Sequence, residues 1–223
     1  MNRRSFLKQT GLAAGAAAVH NLHGAPQGIA LIVDPKDPVA SSAASSWAVR
    51  NLQDAFTAQG ATANIYPRID AAPAGSRHIL IAGTENAAAR QILSAAPSSP
   101  EALALATGQT GGRSVLLASG SDARGLVFAV LELADRLKYG SSLDVKSPIV
   151  EKPANTVRSC ARCFVSDIED KSWFYDRELW ADYLTTLATH RFSRFNLTLG
   201  IGYNSNHNIP DAYFYFAYPF LLP

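Results

Sequence analysis

Residues 121–137 read Ser-Asp-Ala-Arg-Gly-Leu-Val-Phe-Ala-Val-Leu-Glu-Leu-Ala-Asp-Arg-Leu, and this stretch decides the fold class. Its apolar residues recur at helical spacing, which predicts an amphipathic helix over 123–138. Asp122 is the expected N-cap, and Gly140 is expected to end the helix. The face predicted to be buried contains Leu126, Val127, Val130, Leu131, Ala134 and Leu137.

The residues before this helix alternate between short apolar runs and helical periodicity. Strands are predicted over 28–34, 62–66 and 78–83, and the glycines between 102–107 and 114–119 predict a hairpin. Two further helices are predicted, over 42–59 and 86–95. Residues 26–140 are therefore expected to form an α/β sandwich, in which a mixed sheet packs against two or three helices.

The residues after the helix begin with a polar, proline-containing stretch, 141–156, which is typical of a linker. Strands are predicted over 157–164 and 194–199. The helix predicted between them, over 176–191, has a stripe expected to be buried, formed by Leu179, Trp180, Tyr183, Leu184, Leu187 and Ala188. Residues 157–223 thus predict one βα unit and the beginning of the next.

The first 25 residues have the pattern of an export signal. Arg3 and Arg4 precede Phe-Leu-Lys, and a mild Gly/Ala segment over 11–19 follows. This arrangement is typical of a twin-arginine signal, so we expect the Tat translocation machinery as a partner and a periplasmic or extracellular location. An amphipathic helix with a basic start is the alternative.

Composition excludes several classes of protein. The chain has 223 residues, of which 48% are hydrophobic and 17% charged, so a disordered tail protein is excluded. Three cations and no acid lie in the first 25 residues, which leaves a formal charge of −1 on the rest of the chain, from a total of +2. A near-neutral body does not favour nucleic-acid binding. No apolar run reaches the roughly 18 residues of a membrane-spanning helix, and no membrane association is expected after export.

Motifs for other chemistries are incomplete. Gly120 and Gly125 have the spacing of a phosphate-binding loop, but the Lys and Ser/Thr that should follow are missing, which indicates a strand-to-helix turn. Cys160 and Cys163 form a single C-x-x-C inside a predicted strand, and two ordinary buried thiols are favoured over redox or metal chemistry. The histidines are too scattered for a metal site, so neither a metal nor a cofactor is expected.

The order of these elements resembles a known arrangement. The residues that carry the resemblance are the helix over 121–137, the proline-bearing linker, the opening Val157-Arg158-Ser159, and the stretches 169–176 and 191–200. The sequence resembles the β-N-acetylhexosaminidases and the α-glucuronidases, families 20 and 67 of the glycoside hydrolases. In both, a non-catalytic α/β domain precedes a (β/α)₈ barrel.

This resemblance implies that residues 157–223 are the first part of an incomplete TIM barrel. In those families the catalytic carboxylates lie on barrel strands beyond the fourth, whereas this chain stops after the second. We therefore expect a truncated glycoside hydrolase that lacks the acid/base pair, and no catalytic residue is assigned. A short intact protein whose last 67 residues pack differently is the alternative.

Candidate sugar-binding residues lie on the two predicted barrel strands and in the loops that follow them. Carboxylates accept hydrogen bonds from sugar hydroxyls, which suits Glu169 and Asp170 beside Trp173, Phe174 and Tyr175, although a solvated loop charge is the alternative. The resemblance implies that an arginine on the first strand grips the substrate. The remaining candidates are Arg158 or Arg162 for that role, Asn196 pointing into the barrel, and Tyr203 at its rim.

The sequence therefore predicts an exported carbohydrate-active protein with an oligosaccharide or glycan as its partner. The first alternative is a non-catalytic module that binds glycan or protein through its aromatic C-terminal segment. The second is a truncated, inactive open reading frame, in which the aromatic residues after 213 would leave an exposed apolar patch.

Overall fold

The computed structural model describes residues 28–164 and 172–199, and the chain divides into two compact units between Lys152 and Pro153. Among the described residues, the first unit contains a six-stranded sheet with helices, and the second contains a two-stranded parallel sheet with helical residues between its strands along the chain. The predicted fold class, a mixed-sheet α/β domain followed by a βαβ segment, is confirmed. No helix in these described ranges is long and apolar enough to cross a membrane.

The sheet of the first unit has the strand order β2-β1-β3-β5-β4-β6. Its strands are β1 Ile29–Val33, β2 Ala63–Tyr66, β3 Arg77–Gly83, β4 Leu103–Thr110, β5 Arg113–Gly120 and β6 Ile149–Glu151. β2, β1, β3 and β5 run parallel, whereas β4 is antiparallel to both β5 and β6. The predicted hairpin is β4–β5, and the glycines at its turn, Gly111 and Gly112, both have positive φ.

Within residues 28–152 the structure describes three α-helices: α1 Ala43–Ala58, α2 Ala87–Ile92 and α3 Ala123–Lys138. Each begins where a side chain accepts a hydrogen bond from a free backbone N–H of the first turn. These caps are Ser42, Asn86 and Asp122. The bounds of α3 agree with the prediction, and Gly140 follows it with a φ of 67°. The predicted end of α2 was wrong, since the helix stops at Ile92.

The core of the first unit lies on both faces of the sheet. One face packs with α2 through a cluster that includes Ala30, Ile32, Leu80, Leu117 and Ile92. Side chains of a strand alternate, so the neighbours in sequence, such as the fully buried Leu31 and Ile79, point to the opposite face. α1 and α3 pack against each other and against the strands there. The result is a three-layer α/β/α arrangement.

The turn from β5 into α3 explains the glycine spacing in the sequence. A Cβ atom at Gly125 would collide with the backbone carbonyl of Ala102, and one at Gly120 would collide with the backbone nitrogen of Leu126. With any residue other than glycine at positions 120 and 125, α3 could not lie this close to the sheet. The two glycines permit this close packing, and they lie at a strand-to-helix turn, as the incomplete phosphate-loop motif indicated.

The stretch 141–156, interpreted as a linker, is partly structured. It contains β6, whose residues pair antiparallel with Leu103–Leu105 of β4. Leu143 and Val145 are buried, and the hydroxyl of Thr107 donates to the carbonyl of Val145. The first unit thus extends to Lys152, beyond the expected end at residue 140. A three-residue edge strand is too short to show periodicity, which is why the sequence did not reveal it.

The described part of the second unit contains β7 Ser159–Phe164, a helical stretch over 172–174, α4 Arg177–Thr189 and β8 Arg194–Leu199. The strands pair in parallel, with Ser159 opposite Arg194 and Phe164 opposite Leu199. Asp176 caps α4. The prediction that α4 has a buried stripe was wrong, since no residue of the helix is buried. The physical reason is that two strands cover only a narrow face of the helix.

Candidate functional site

The first candidate site is the carboxyl edge of the parallel strands in the first unit. Chain connections diverge there between β1 and β3, and ligands of open α/β sheets bind at such a switch point. Asp37, which follows β1, lies in this position and is only 8% exposed. Its Oδ1 accepts hydrogen bonds from the backbone N–H groups of Val39 and Ala40, at 2.9 and 3.1 Å. Its Oδ2 accepts from Gly83 N at 2.8 Å.

These contacts fill the crevice with the chain's own residues. A Cβ atom on Gly83 would lie 3.0 Å from the Cβ of Val39, so the loop after β1 presses directly on the end of β3. The Nδ2 of Asn86, the cap of α2, lies 3.4 Å from Asp37 Oδ2. Asp37 is therefore a structural latch that ties two strand ends together. Sequence reasoning missed it because its partner, Gly83, is far away along the chain.

The second candidate site is on the two-stranded sheet formed by β7 and β8. One face of this sheet contacts α4, and the other is the face opposite that helix. The Sγ of Cys160 lies 3.4 Å from the hydroxyl oxygen of Tyr183 in α4, and the rings of Tyr183 and Phe195 are 5.6 Å apart. The face that carries Cys160 therefore meets the helix. Because strand residues alternate, Arg158 and Arg162 lie on this helix-facing side and Asn196 lies on the other.

Asn196 lies in β8, on the face of the sheet opposite α4. Its side chain is exposed on the face opposite α4, and its Nδ2 donates a 3.0 Å hydrogen bond to the Oγ of Ser159 on the neighbouring strand. In a (β/α)₈ barrel the face away from the helices is the interior. A sugar-binding role for Asn196 stays a prediction.

Arg158 does not lie where a substrate-gripping arginine is needed. It precedes β7, at the amino end of the strand, whereas function in such folds is carried at the carboxyl ends. Its Nε donates to the carbonyl of Arg191 at 2.6 Å and its Nη1 to that of Asn155 at 2.7 Å. Arg191 has a φ of 62°, so this bond holds the left-handed turn that follows α4. The geometry indicates a structural role for Arg158.

Arg162 lies nearer the carboxyl end of β7, but it faces the helix layer. Its guanidinium carbon lies 3.9 Å from the centroid of the Trp173 ring, in cation–π geometry. Its Nε is buried without a hydrogen-bond partner. The guanidinium thus contacts an aromatic ring of the same chain, and a direct contact of Arg162 with sugar stays a prediction. Glu169, Asp170 and Tyr203 lie outside the described residues.

Trp173 belongs to a cluster of aromatic rings, which was recognised from the sequence only in part. Trp180 is its centre, with ring centroids 5.6 Å from Trp173 and 5.7 Å from Phe195, both in edge-to-face geometry. The indole N–H of Trp180 donates to the carbonyl of Phe174 at 2.7 Å. Tyr175, at the outer end, is 45% exposed. The cluster thus presents one accessible ring near the carboxyl end of β7.

Cys160 is part of the same cluster and is only partly buried, so the expectation of two buried thiols was wrong for this residue. The side chain of Cys163 is outside what the structure describes. The hydrogen bond with Cys160 raises the pKa of the Tyr183 hydroxyl above its ordinary value, and burial contributes in the same direction. Tyr183 therefore stays a neutral phenol over the physiological pH range.

A shallow depression of about 490 Å³ lies along α4 and is lined by Asp176, Glu178, Leu179, Asp182, Tyr183 and Thr186. The Oδ1 of Asp176 already accepts hydrogen bonds from the N–H groups of Glu178 and Leu179. All the lining residues belong to this helix and its cap, which is typical of a solvated acidic surface. Within 28–164 and 172–199, no three His, Cys, Asp or Glu side chains are placed to hold a metal ion.

Comparison with known proteins identifies the kind of fold. Among solved structures, the chain is similar to a GH138 enzyme targeting pectin rhamnogalacturonan II, with a TM-score of 0.56 and 17% sequence identity over 78% of this chain and 24% of that one. It is also similar to CpGH84D, with a TM-score of 0.46 and 10% identity over 80% of this chain and 36% of that one. No family profile and no curated protein matches the sequence.

The likeness to the GH138 enzyme shows that this chain has a glycoside hydrolase-like α/β fold. The chain spans about a quarter of the length of that structure, 24%. The likeness thus concerns the arrangement of helices and strands, and it extends to most of this chain.

Proposed function

We propose that this protein is carbohydrate-active and that its second unit binds a glycan through residues of β7 and β8 and the segment that contains Tyr175. The observation that carries the proposal is the fold, which follows that of a glycoside hydrolase over 78% of the chain. The relation to families 20 and 67, indicated by the sequence over 121–137 and 157–200, belongs to the same proposal. Each unit then has its own task, structural in the first and sugar-binding in the second.

The chemistry of the second unit supports sugar binding. Exposed aromatic rings stack on the apolar faces of pyranose rings, and Tyr175 offers such a ring. Amides both donate to and accept from hydroxyl groups, and Asn196 presents one on the face opposite α4. Glu169 and Asp170, which lie between β7 and α4 in the sequence, would add acceptors for sugar hydroxyls.

The residues of the two strands favour binding over cleavage. Hydrolysis of a glycosidic bond uses two carboxylates on either side of the bond. Neither β7, Ser-Cys-Ala-Arg-Cys-Phe, nor β8, Arg-Phe-Asn-Leu-Thr-Leu, contains an acidic residue. The carboxylates of α4 and its cap lie along the helix surface. The strands described here thus supply contacts to a sugar but no acid/base pair.

Export by the twin-arginine pathway is part of the proposal and rests on Arg3, Arg4 and the Gly/Ala segment over 11–19. A periplasmic or extracellular location gives access to polymeric glycans. A reporter fused after residue 25 tests this point. Export should stop when Arg3 and Arg4 are both replaced by lysine, and continued export would contradict it.

The experiment that tests the function combines calorimetry with a turnover assay. Rhamnogalacturonan oligosaccharides from pectin, aryl hexosaminides and aryl glucuronides are titrated into the full chain. We expect binding of at least one class, without hydrolysis. Tyr175→Ala should weaken that binding about tenfold, which corresponds to roughly 1.4 kcal/mol. The matched control is Tyr139→Ala, which removes an exposed tyrosine that follows α3.

Three outcomes distinguish the possible functions. Binding that is lost in Tyr175→Ala and kept in Tyr139→Ala supports the proposed site. Robust hydrolysis by the wild-type chain would overturn the assignment of a binding role. Absence of binding to all three glycan classes would contradict a carbohydrate function for the second unit.

A further inference from the structure

Arg162 combines a buried nitrogen with an aromatic contact. Its Nε is buried without a hydrogen-bond partner among the described residues, and a buried donor left unpaired destabilises the folded state. Its guanidinium carbon nevertheless lies only 3.9 Å from the centroid of the Trp173 ring. A cation over the face of tryptophan is attracted by the ring quadrupole, and the attraction grows when water is excluded. The ring of Trp173 therefore helps to hold this cation in place.

Trp173 in turn is linked to the segment that contains Tyr175. Its ring contacts Phe174 edge-to-face at 6.1 Å, and Phe174 contacts Tyr175 in the same geometry at 5.1 Å. The carbonyl of Trp173 accepts a 3.2 Å hydrogen bond from the backbone N–H of Asp176. A chain of direct contacts thus runs from the β7 strand through three consecutive aromatic residues to the exposed ring.

We infer that Arg162 is a positioning residue, which fixes Trp173 and through it the orientation of the exposed Tyr175 ring that contacts the sugar. The inference rests on the proposed function. It assigns Arg162 a role different from direct contact with substrate, because the guanidinium faces the helix layer and its flat face is occupied by an indole. Arg158, on the same side of the strand, cannot take this role, since backbone carbonyls at the opposite end bind its guanidinium.

The test uses the full chain with Arg162→Met, Arg162→Lys and the control Arg194→Met. Methionine keeps much of the length and removes the cation, whereas lysine keeps the cation and loses the planar fork. Arg194 is exposed at the amino end of β8, so its replacement makes the same change in charge at a distance from Trp173. The first readout is the near-ultraviolet circular dichroism of the tryptophans. We expect a change in Arg162→Met, partial recovery in Arg162→Lys and no change in Arg194→Met.

The second readout is affinity for rhamnogalacturonan oligosaccharides, measured with and without Tyr175. Arg162→Met should weaken binding about tenfold in the wild-type background and have almost no effect in Tyr175→Ala. A merely structural role would weaken binding equally in both backgrounds. Arg162→Lys should recover part of the affinity, and it also replaces the methionine variant if that variant does not fold.

The outcomes separate this inference from the proposed function. An unchanged tryptophan spectrum in Arg162→Met would overturn the positioning role, whether or not any glycan binds. Equal loss of affinity in both Tyr175 backgrounds would also overturn it, as expected if Arg162 binds an acidic sugar directly. Failure of the wild-type chain to bind any glycan would refute the proposed function, and the spectrum would still decide whether Arg162 orients Trp173.

Discussion

The two units of this chain are built from similar elements but differ in how deeply they bury them. In the first unit, α3 has side chains that are completely inaccessible, among them Leu126, Val130 and Leu133. In the second, α4 has none, and Leu184 is 47% exposed. Both helices begin at an aspartate cap and both have an apolar stripe. The difference teaches that burial comes from neighbouring layers rather than from the hydrophobicity of a helix.

The largest expected effect comes from a leucine in each helix. Leu126→Ala in α3 should destabilise the first unit by about 2–5 kcal/mol, because a fully buried side chain leaves a cavity. Leu184→Ala in α4 should cost less than about 1 kcal/mol, since half of that side chain already contacts water. Hydrogen exchange, resolved to peptides of each unit, measures both changes separately.

The comparison would fail if the two substitutions had equal effects. A large loss at Leu184 would mean that the exposed side of α4 is covered in solution. A small loss at Leu126 would mean that the first unit collapses around the missing side chain.

The sequence was most informative where the signal is local. The cap at Asp122, the periodicity of α3 and the glycine after it were all correctly predicted, because each depends on residues within a few turns of the helix. Strand order was not predictable in detail, and β6 was missed because three residues show no period. The pairing of β6 with β4 depends on residues far away along the chain.

The candidate site was predictable in part for the same reason. Strand alternation explains why Arg158 and Arg162 lie on one face of the two-stranded sheet and Asn196 on the other. It cannot reveal which group meets the helix, since that depends on contacts such as those of Tyr183 with Cys160 and Phe195. The structural role of Asp37 was not predicted, because a carboxylate that binds a distant backbone group such as Gly83 N has no sequence motif.

A smaller effect is expected at the caps of the two helices. Asp122 accepts hydrogen bonds from the N–H groups of Gly125 and Glu101, both at 2.8 Å, and so joins the helix to the turn before β4. Asp176 caps only its own helix. We expect Asp122→Ala to cost about 2 kcal/mol and Asp176→Ala about 1 kcal/mol. Thermal unfolding with Asp→Asn variants as controls measures the difference, and a larger loss at Asp176 would contradict the contrast between the units.

The smallest expected effect is a pH dependence of the stability of the first unit. His78 in β3 is 4% exposed, and its Nε2 lies 3.1 Å from the carbonyl oxygen of Pro73 and 3.3 Å from Nη1 of Arg113. Burial lowers the pKa of His78 below its ordinary value of 6.5; the hydrogen bond to Pro73 opposes this, and the charge of Arg113 adds to it. The charged ring is thus disfavoured in the folded state.

The sign of the effect follows from proton binding. Just below pH 6.5 the unfolded chain takes up a proton at His78 that the folded chain does not bind, so the first unit becomes less stable as the pH falls from 6.5 towards the lowered folded pKa. Replacing His78 with glutamine keeps a donor for the carbonyl of Pro73 and removes the titration. The unfolding midpoint, measured between about pH 5 and about pH 8, should therefore depend less on pH in His78→Gln than in the wild type. If the unfolding midpoint depended on pH equally in the two proteins, the His78 ring would titrate freely despite its burial. This result would weaken the contrast in side-chain burial between the two units.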